Sequence, residues 1–158
     1  MVMDGDRVIT ASVPLPPDLM AVVFVPDVAM ATQEARAILP AMVSREDAVY
    51  NLGRVALLVN ALATGRLEEM MVATQDRLHQ LDRERIFPAM RHIFRAAQDA
   101  GALGVFLSGS GSSVLALATS GAAAIGSEMA RAAERSGVQG SIKVSKPSTL
   151  GAHLVEAE

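Results

Sequence analysis

Gly101-Ala102-Leu103-Gly104-Val105-Phe106-Leu107-Ser108-Gly109-Ser110-Gly111-Ser112-Ser113-Val114-Leu115-Ala116-Leu117-Ala118 holds two apolar runs around a hinge made only of glycine and serine. The runs Leu103 to Leu107 and Val114 to Ala118 have strand length, which predicts two buried strands joined by a tight loop. Glycine in the hinge supplies positive φ and lets backbone N–H groups approach a ligand, and serine adds hydroxyl donors for phosphate or carboxylate oxygens. A hairpin turn that needs glycine for its geometry alone accounts equally well for the same loop. The neighbouring segments decide between these readings.

Immediately upstream, Pro88 opens a helical pattern from Ala89 to Ala100 that Gly101 stops. Downstream, Gly121 to Arg135 reads as an alanine-rich helix closed by Gly137, followed by strands at Ser141 to Val144 and Ala152 to Val155 around the turn Lys146-Pro147-Ser148-Thr149. Further back, Ser44 with Asp47 three residues on has capping-box spacing. The helix behind it carries one apolar stripe, Ala48, Leu52, Val55, Ala56, Val59 and Leu62, and ends at Gly65. Leu67 to Leu78 reads as a shorter helix and Asp76 to Arg85 as a polar break. Met30 to Leu39 is a helix stopped at Pro40. At the start, Val8 to Val13 and Met20 to Val25 are strand-like, separated by Pro14-Leu15-Pro16-Pro17, and are expected to pair with each other.

The order β-β-α-α-α-α-β-β-α-β-β groups the helices in the middle. It predicts an α+β fold: an antiparallel sheet of about four strands with helices mainly on one face. Residues 1–158 form one domain in this reading, with 1–18 as the edge or tail of a preceding N-terminal domain, because the chain opens directly on a strand.

Composition narrows the function classes. Hydrophobic residues make up 51% and charged residues 20% of the 158, the balance of a folded domain. Aromatics are 3%, with no Trp, too few rings for base-stacking platforms. The net charge of −3 and scattered basic residues argue against nucleic acid or an anionic membrane as partner. There is no cysteine, hence no disulfide or thiolate chemistry. His79, His92 and His153 show no metal-ligand spacing, so no metal site is expected, and His79 is expected to hydrogen-bond within its own turn. The nine methionines read as core filler. Met1 to Arg7 has acids where a leader peptide carries bases, and no apolar run has membrane-spanning length, so a cytoplasmic location is the default expectation.

Four segments in order carry a resemblance. Val25-Pro26-Asp27 with Ala31-Thr32-Gln33-Glu34-Ala35-Arg36-Ala37-Ile38-Leu39-Pro40, Asp47-Ala48-Val49-Tyr50-Asn51-Leu52-Gly53-Arg54, Asp76-Arg77-Leu78-His79-Gln80 with Arg83, and the glycine-rich stretch from Gly101 to Leu117 together resemble the C-terminal half of the homoserine kinases. These are a branch of the GHMP small-molecule kinase family. The resemblance implies transfer of the ATP γ-phosphate to the side-chain hydroxyl of L-homoserine, with Mg2+, in threonine biosynthesis. It implies substrate-binding roles for Thr32, Arg36 and Arg83, and a place near the phosphate for Ser108, Gly109, Ser110, Gly111 and Ser112. Two guanidinium forks suit the carboxylate of a small amino acid. Phosphoryl transfer asks mainly for positioning and charge neutralisation, so no general base has to be present among these residues.

The sequence also departs from the family. No Pro-x-x-x-Gly-Leu-Gly-Ser-Ser-Ala segment, through which these kinases bind nucleotide phosphate, occurs in residues 1–158, nor does a Walker-type loop. The chain alone is therefore expected to hold neither ATP nor Mg2+ tightly and to be inactive without an N-terminal half. Ser112 stands where the family has Pro, and Leu81-Asp82 where it has Pro-Tyr, placing a negative charge beside Arg83. Another small alcohol as acceptor, or a free-standing binding or subunit-interaction module, are the alternative readings. An apolar face left open by a missing half, or covered by homodimer formation, separates the fragment from the module.

Overall fold

The computed structural model describes residues 2–28, 30–148, 150 and 154. Strands β1 (Val2–Asp4) and β2 (Arg7–Ile9) form a separate exposed hairpin. The main sheet contains β3 (Met20–Pro26), and the chain then runs through helices α1 (Thr32–Ala37) and α2 (Arg45–Thr64), a 3-10 turn at Leu67–Glu69, and the short helices α3 (Met70–Ala73) and α4 (Gln80–Arg83). Helix α5 (Ala89–Asp99), strands β4 (Gly104–Leu107) and β5 (Val114–Ala118), helix α6 (Ala122–Arg135) and strand β6 (Gly140–Ser145) complete it. The main sheet is four-stranded and antiparallel in the order β4-β5-β3-β6. The fold is α+β, as the element order predicts.

The strands flanking the glycine-serine hinge lie where they are expected, and Val22, Phe24, Val105, Val114 and Ala116 point into one buried layer. Helices α5 and α6 close that layer with Met90, Ile93, Ile125 and Met129. Burying side chains of this size contributes about 1.5–3 kcal/mol each relative to leaving them in water. Gly126 lets α6 approach the sheet, since a Cβ there would stand 2.8 Å from Ile142 Cγ2. The methionine expectation holds for Met70, Met90 and Met129, which are buried, and fails for Met3 and Met42, which are exposed.

Three expectations change. The segment expected as Val8 to Val13 does not pair with β3: its strand is only Arg7–Ile9 and pairs with Val2–Asp4, while β3 lies between β5 and β6. A fully apolar strand supports two neighbours, and the proline run Pro14 to Pro17 detaches the hairpin from it. The helix expected over Leu67 to Leu78 is broken into a 3-10 turn and one turn of α3. The polar break expected over Asp76 to Arg85 contains the helical turn α4, which buries Gln80 and Arg83. The expected strand Ala152–Val155 lies, apart from Leu154, outside the described residues.

Helix α2 confirms its end signals. Ser44 Oγ accepts the Asp47 N–H at 3.0 Å, and Gly65 closes the helix at φ +73°. Replacing Ser44 with Ala is expected to lower stability by about 1 kcal/mol, measurable as a shift of the urea midpoint at unchanged slope. The stripe along α2, however, is not core: among its members Leu52, Val55 and Val59 are exposed, and Ala61 is the helix's one fully buried residue. Periodicity shows which side chains share a face, not what lies against it.

Candidate functional site

The site is assembled around Asp76. Its Oδ2 accepts the backbone N–H groups of His79 and Gln80 at 2.8 and 2.7 Å. Its Oδ1 accepts from Asn51 Nδ2 at 2.6 Å and lies 2.8 Å from His79 Nδ1. Burial pushes the carboxyl pKa up, but the bonds from the His79 ring, the two backbone N–H groups and Asn51 outweigh it and hold the group well below the usual carboxylate range. Asp76 thereby fixes the start of α4 against α2, and His79 bonds within its own turn as the sequence suggests. Gln80, buried, then spends its Oε1 on the Leu107 N–H at 2.8 Å. The Asp-Arg-Leu-His-Gln segment is a bracket joining α2, α4 and the end of β4.

One turn later on α4 stands Arg83, 7% exposed. Its Nη1 donates to Gly109 O at 2.9 Å, and its Nε reaches Ala35 O at 3.4 Å. The guanidinium is thus wedged between α1 and the glycine-serine loop. No carboxylate among the described residues pairs with it, and Asp82, its sequence neighbour, faces Arg85 Nη1 at 3.5 Å instead. The expected interference of Asp82 with Arg83 is therefore not what the structure shows. An uncompensated positive charge at such a depth is costly.

The loop itself turns on Gly109 (φ +63°) and Gly111 (φ +87°), with Ser108 N–H donating to Ser113 O at 2.9 Å and Gly111 N–H to Ser108 O at 3.2 Å. Ser112 Oγ donates to Val28 O at 3.0 Å, and a Cβ on Gly111 would stand 2.7 Å from Met30 Cε. The segment from Val28 through α1 therefore lies against the loop. A cavity of about 560 Å³ runs beside this contact, lined in part by Met30, Glu34, Phe87 and Ser112. Ser110 is half-buried on the loop, its Oγ 3.4 Å from Gly111 O.

Thr32 and Arg36 sit one turn apart on α1, both exposed and with no side-chain hydrogen bond among the described residues. Thr32 is the first helical residue and not the cap, which is Ala31. The structure brings α1, Arg83 and the loop together, and Arg36 lies on the same short helix as the Ala35 carbonyl that Arg83 holds. The larger groove, about 860 Å³ between α5 and α6, touches none of these residues.

The sequence assigns no role to the cluster beside this bracket. Tyr50 donates its OH to Gln75 Oε1 at 2.6 Å, and its ring lies between the guanidinium carbons of Arg54, 3.3 Å from the centroid, and Arg77, 3.9 Å away. Arg77 is also 3.4 Å from Glu46. Arg54 Nε is buried with no hydrogen-bond partner among the described residues. The i, i+4 spacing of Tyr50 and Arg54 was the available signal, since it places both on one side of a helix.

Residues 57–135 match the family model described as "GHMP kinases C terminal". The chain belongs to the GHMP kinase family. It is similar to the homoserine kinase of Moorella thermoacetica, 43% identical over 152 residues, covering 96% of this chain and 51% of that protein. The homoserine kinase of Persephonella marina is 35% identical over 151 residues, covering 96% and 50%. Among solved structures, that of the homoserine kinase from Cytophaga hutchinsonii superposes with a TM-score of 0.82 at 33% identity, covering 86% of this chain and 44% of that one. The chain thus spans about half the length of the curated relatives it matches, and its GHMP C-terminal fold is the one the sequence resemblance implies.

Proposed function

We propose that this chain is the C-terminal half of a homoserine kinase, which transfers the ATP γ-phosphoryl group to the side-chain hydroxyl of L-homoserine in threonine biosynthesis, in the cytoplasm. The observation that carries this reading is the buried Arg83 guanidinium, set against the glycine-serine loop with two carbonyl partners and, among the described residues, no carboxylate. Such a group fits a substrate anion that arrives from outside the chain, and the carboxylate of an amino acid supplies one. Arg36 and Thr32 on the adjacent exposed helix add a second guanidinium and a hydroxyl for the same substrate. Ser108 to Ser112 line the phosphate side.

Among the described residues no group of three or more acidic or histidine side chains is placed to hold a metal. Mg2+ is ordinarily held by one or two carboxylates together with substrate phosphates, and both it and the nucleotide are assigned to an N-terminal half. Residues 1–18 are assigned to the boundary with that half, a reading supported by the Val2–Ile9 hairpin, whose strands pair only with each other among the described residues.

A full-length chimera, with the N-terminal half of the Moorella thermoacetica relative joined ahead of this chain, tests the reading. It is expected to form ADP in the presence of homoserine and not of mevalonate or shikimate, while the chain alone forms none. Activity with another alcohol only, or with none, overturns the acceptor assignment. In the chimera, Arg36→Ala is expected to raise the homoserine KM by about tenfold or more with a smaller change in kcat, as removal of one charge-assisted contact to the ground state does.

A further inference from the structure

The internal bonds of the glycine-serine loop fix its turn but not where the turn points. Gly109 and Gly111 both take positive φ, and glycine moves between backbone regions at little steric cost, so the direction of Ser108 to Ser112 depends on contacts from other elements. The loop leaves β4 at Leu107, and β4 lies at one end of the strand order. Ser108 N–H crosses the hairpin to Ser113 O at 2.9 Å. Backbone donors of an edge strand alternate between its partner and the open side. The Leu107 N–H therefore points off the sheet edge, where no described strand runs beside β4.

A buried N–H without an acceptor is costly, and Leu107 is 4% exposed. Gln80 supplies the acceptor, its Oε1 standing 2.8 Å from the Leu107 N. The carboxamide thus replaces a neighbouring strand at the residue just before the loop. Arg83, on the same helical turn, holds Gly109 O two residues further on, so α4 grips the loop entrance at two points. The helix is itself fixed by Asp76, which accepts the backbone N–H groups of His79 and Gln80 and the Asn51 amide of α2. The far end of the loop is tied separately, through Ser112 Oγ and Val28 O.

We infer that Gln80 is a positioning residue for phosphoryl transfer: its side-chain carbonyl sets the direction in which the glycine-serine loop leaves β4, and so places the loop against the transferred phosphate. The inference deepens the homoserine kinase reading and rests on it. Gln80 acts through Leu107 and touches no substrate atom. Its two bonds separate its effects, because the side chain holds the loop entrance while the backbone N–H holds the helix to Asp76. Replacing the side chain therefore shifts the loop and leaves α4, with Arg83 on it, in place. Phosphoryl transfer depends on alignment in the transition state. The loss then falls on kcat and not on the ground-state hold of Arg36 and Arg83 on the substrate carboxylate.

The test is Gln80→Met, a side chain of similar length without a carbonyl, made in the chain and in the Moorella chimera. Gln80→Glu, which keeps an acceptor oxygen at the same reach, is the conservative variant. Amide hydrogen exchange at Leu107 is expected to be at least about tenfold faster in the Gln80→Met chain than in the parent, with exchange across α5 unchanged. In the chimera Gln80→Met is expected to lower kcat by about tenfold or more and to keep the homoserine KM within about twofold, the opposite of the split expected for Arg36→Ala. Gln80→Glu is expected to restore kcat to at least about threefold above Gln80→Met. A Gln80→Met kcat close to that of the parent overturns the inference and leaves the bond to Leu107 a structural one. A raised KM at unchanged kcat overturns it too, since Gln80 then acts in ground-state binding, as does a Gln80→Glu no faster than Gln80→Met. Loss of protection across α5 in both variants also overturns it, making Gln80 a residue of the fold alone. An unsubstituted chimera that forms no ADP removes the kinase reading, and exchange then decides the placement of the loop. Faster exchange from Leu107 through Ser113 in Gln80→Met supports placement by Gln80, and equal exchange overturns it.

Discussion

Arg83→Ala is expected to be among the most damaging single substitutions in the chain, lowering its stability by about 3 kcal/mol. The side chain is buried and holds two backbone carbonyls that belong to different elements, Ala35 O of α1 and Gly109 O of the loop. Truncation leaves both acceptors facing an apolar void and removes the only described side-chain link between α4, α1 and the loop. Part of the loss is offset, because a buried guanidinium without a carboxylate is itself costly. Arg83→Lys separates the contributions. It retains the charge but not the planar fork that reaches two carbonyls at once, so it is expected to recover less than half of the stability. In the Moorella chimera Arg83→Lys is expected to raise the homoserine KM by about tenfold or more. Urea unfolding of the chain and steady-state kinetics of the chimera check the two parts. An Arg83→Ala chain as stable as the parent would remove the structural role.

Asp76→Asn is the second. The carboxylate accepts from the backbone of His79 and Gln80, from Asn51, and from the His79 ring. An amide at this position keeps one acceptor oxygen and turns two N–H donors toward donors, so a loss of about 2–3 kcal/mol is expected at neutral pH. The pH dependence has a definite sign. Because the folded pKa lies well below the ordinary carboxylate value, the unfolded chain takes up the proton first as pH falls. The stabilisation from Asp76 is therefore fully present above about pH 5 and declines below about pH 4, where unfolded aspartate titrates. The stability difference between parent and Asp76→Asn is expected to shrink as the pH is lowered from about 5 toward 3. A difference that grew over that acid range would contradict the assignment of Asp76 as the charged hub.

Local chemistry made much of the fold legible beforehand. Ser44 and Gly65 bound α2, Pro88 and Gly101 bound α5, and two apolar runs around a glycine-serine hinge are a hairpin, all because the signals act within a few residues of one another. The short helices were misjudged for the opposite reason. One turn of helix at Gln80–Arg83 exists because Asp76 caps it and Asn51, a full helix away in the chain, holds Asp76. Propensity within the segment carries no trace of that partner. Similarly, Arg83 among Asp82, Glu84 and Arg85 looks like a solvated face, yet the single helical turn points Asp82 toward Arg85 and Arg83 inward.

The sequence by itself determined the fold class, the chain ends of the long helices, the two strands of the central hairpin and, through four ordered segments, the family. Only the tertiary structure decided which strands neighbour β3, that the Asp76-to-Gln80 segment is a bracket that positions Arg83 against the loop, and that the apolar stripe of α2 stands exposed among the described residues. The physical reason is common to all three. Periodicity, caps and turn residues encode interactions a few positions apart, whereas register, burial and the surroundings of a charge depend on partners that are distant in the chain.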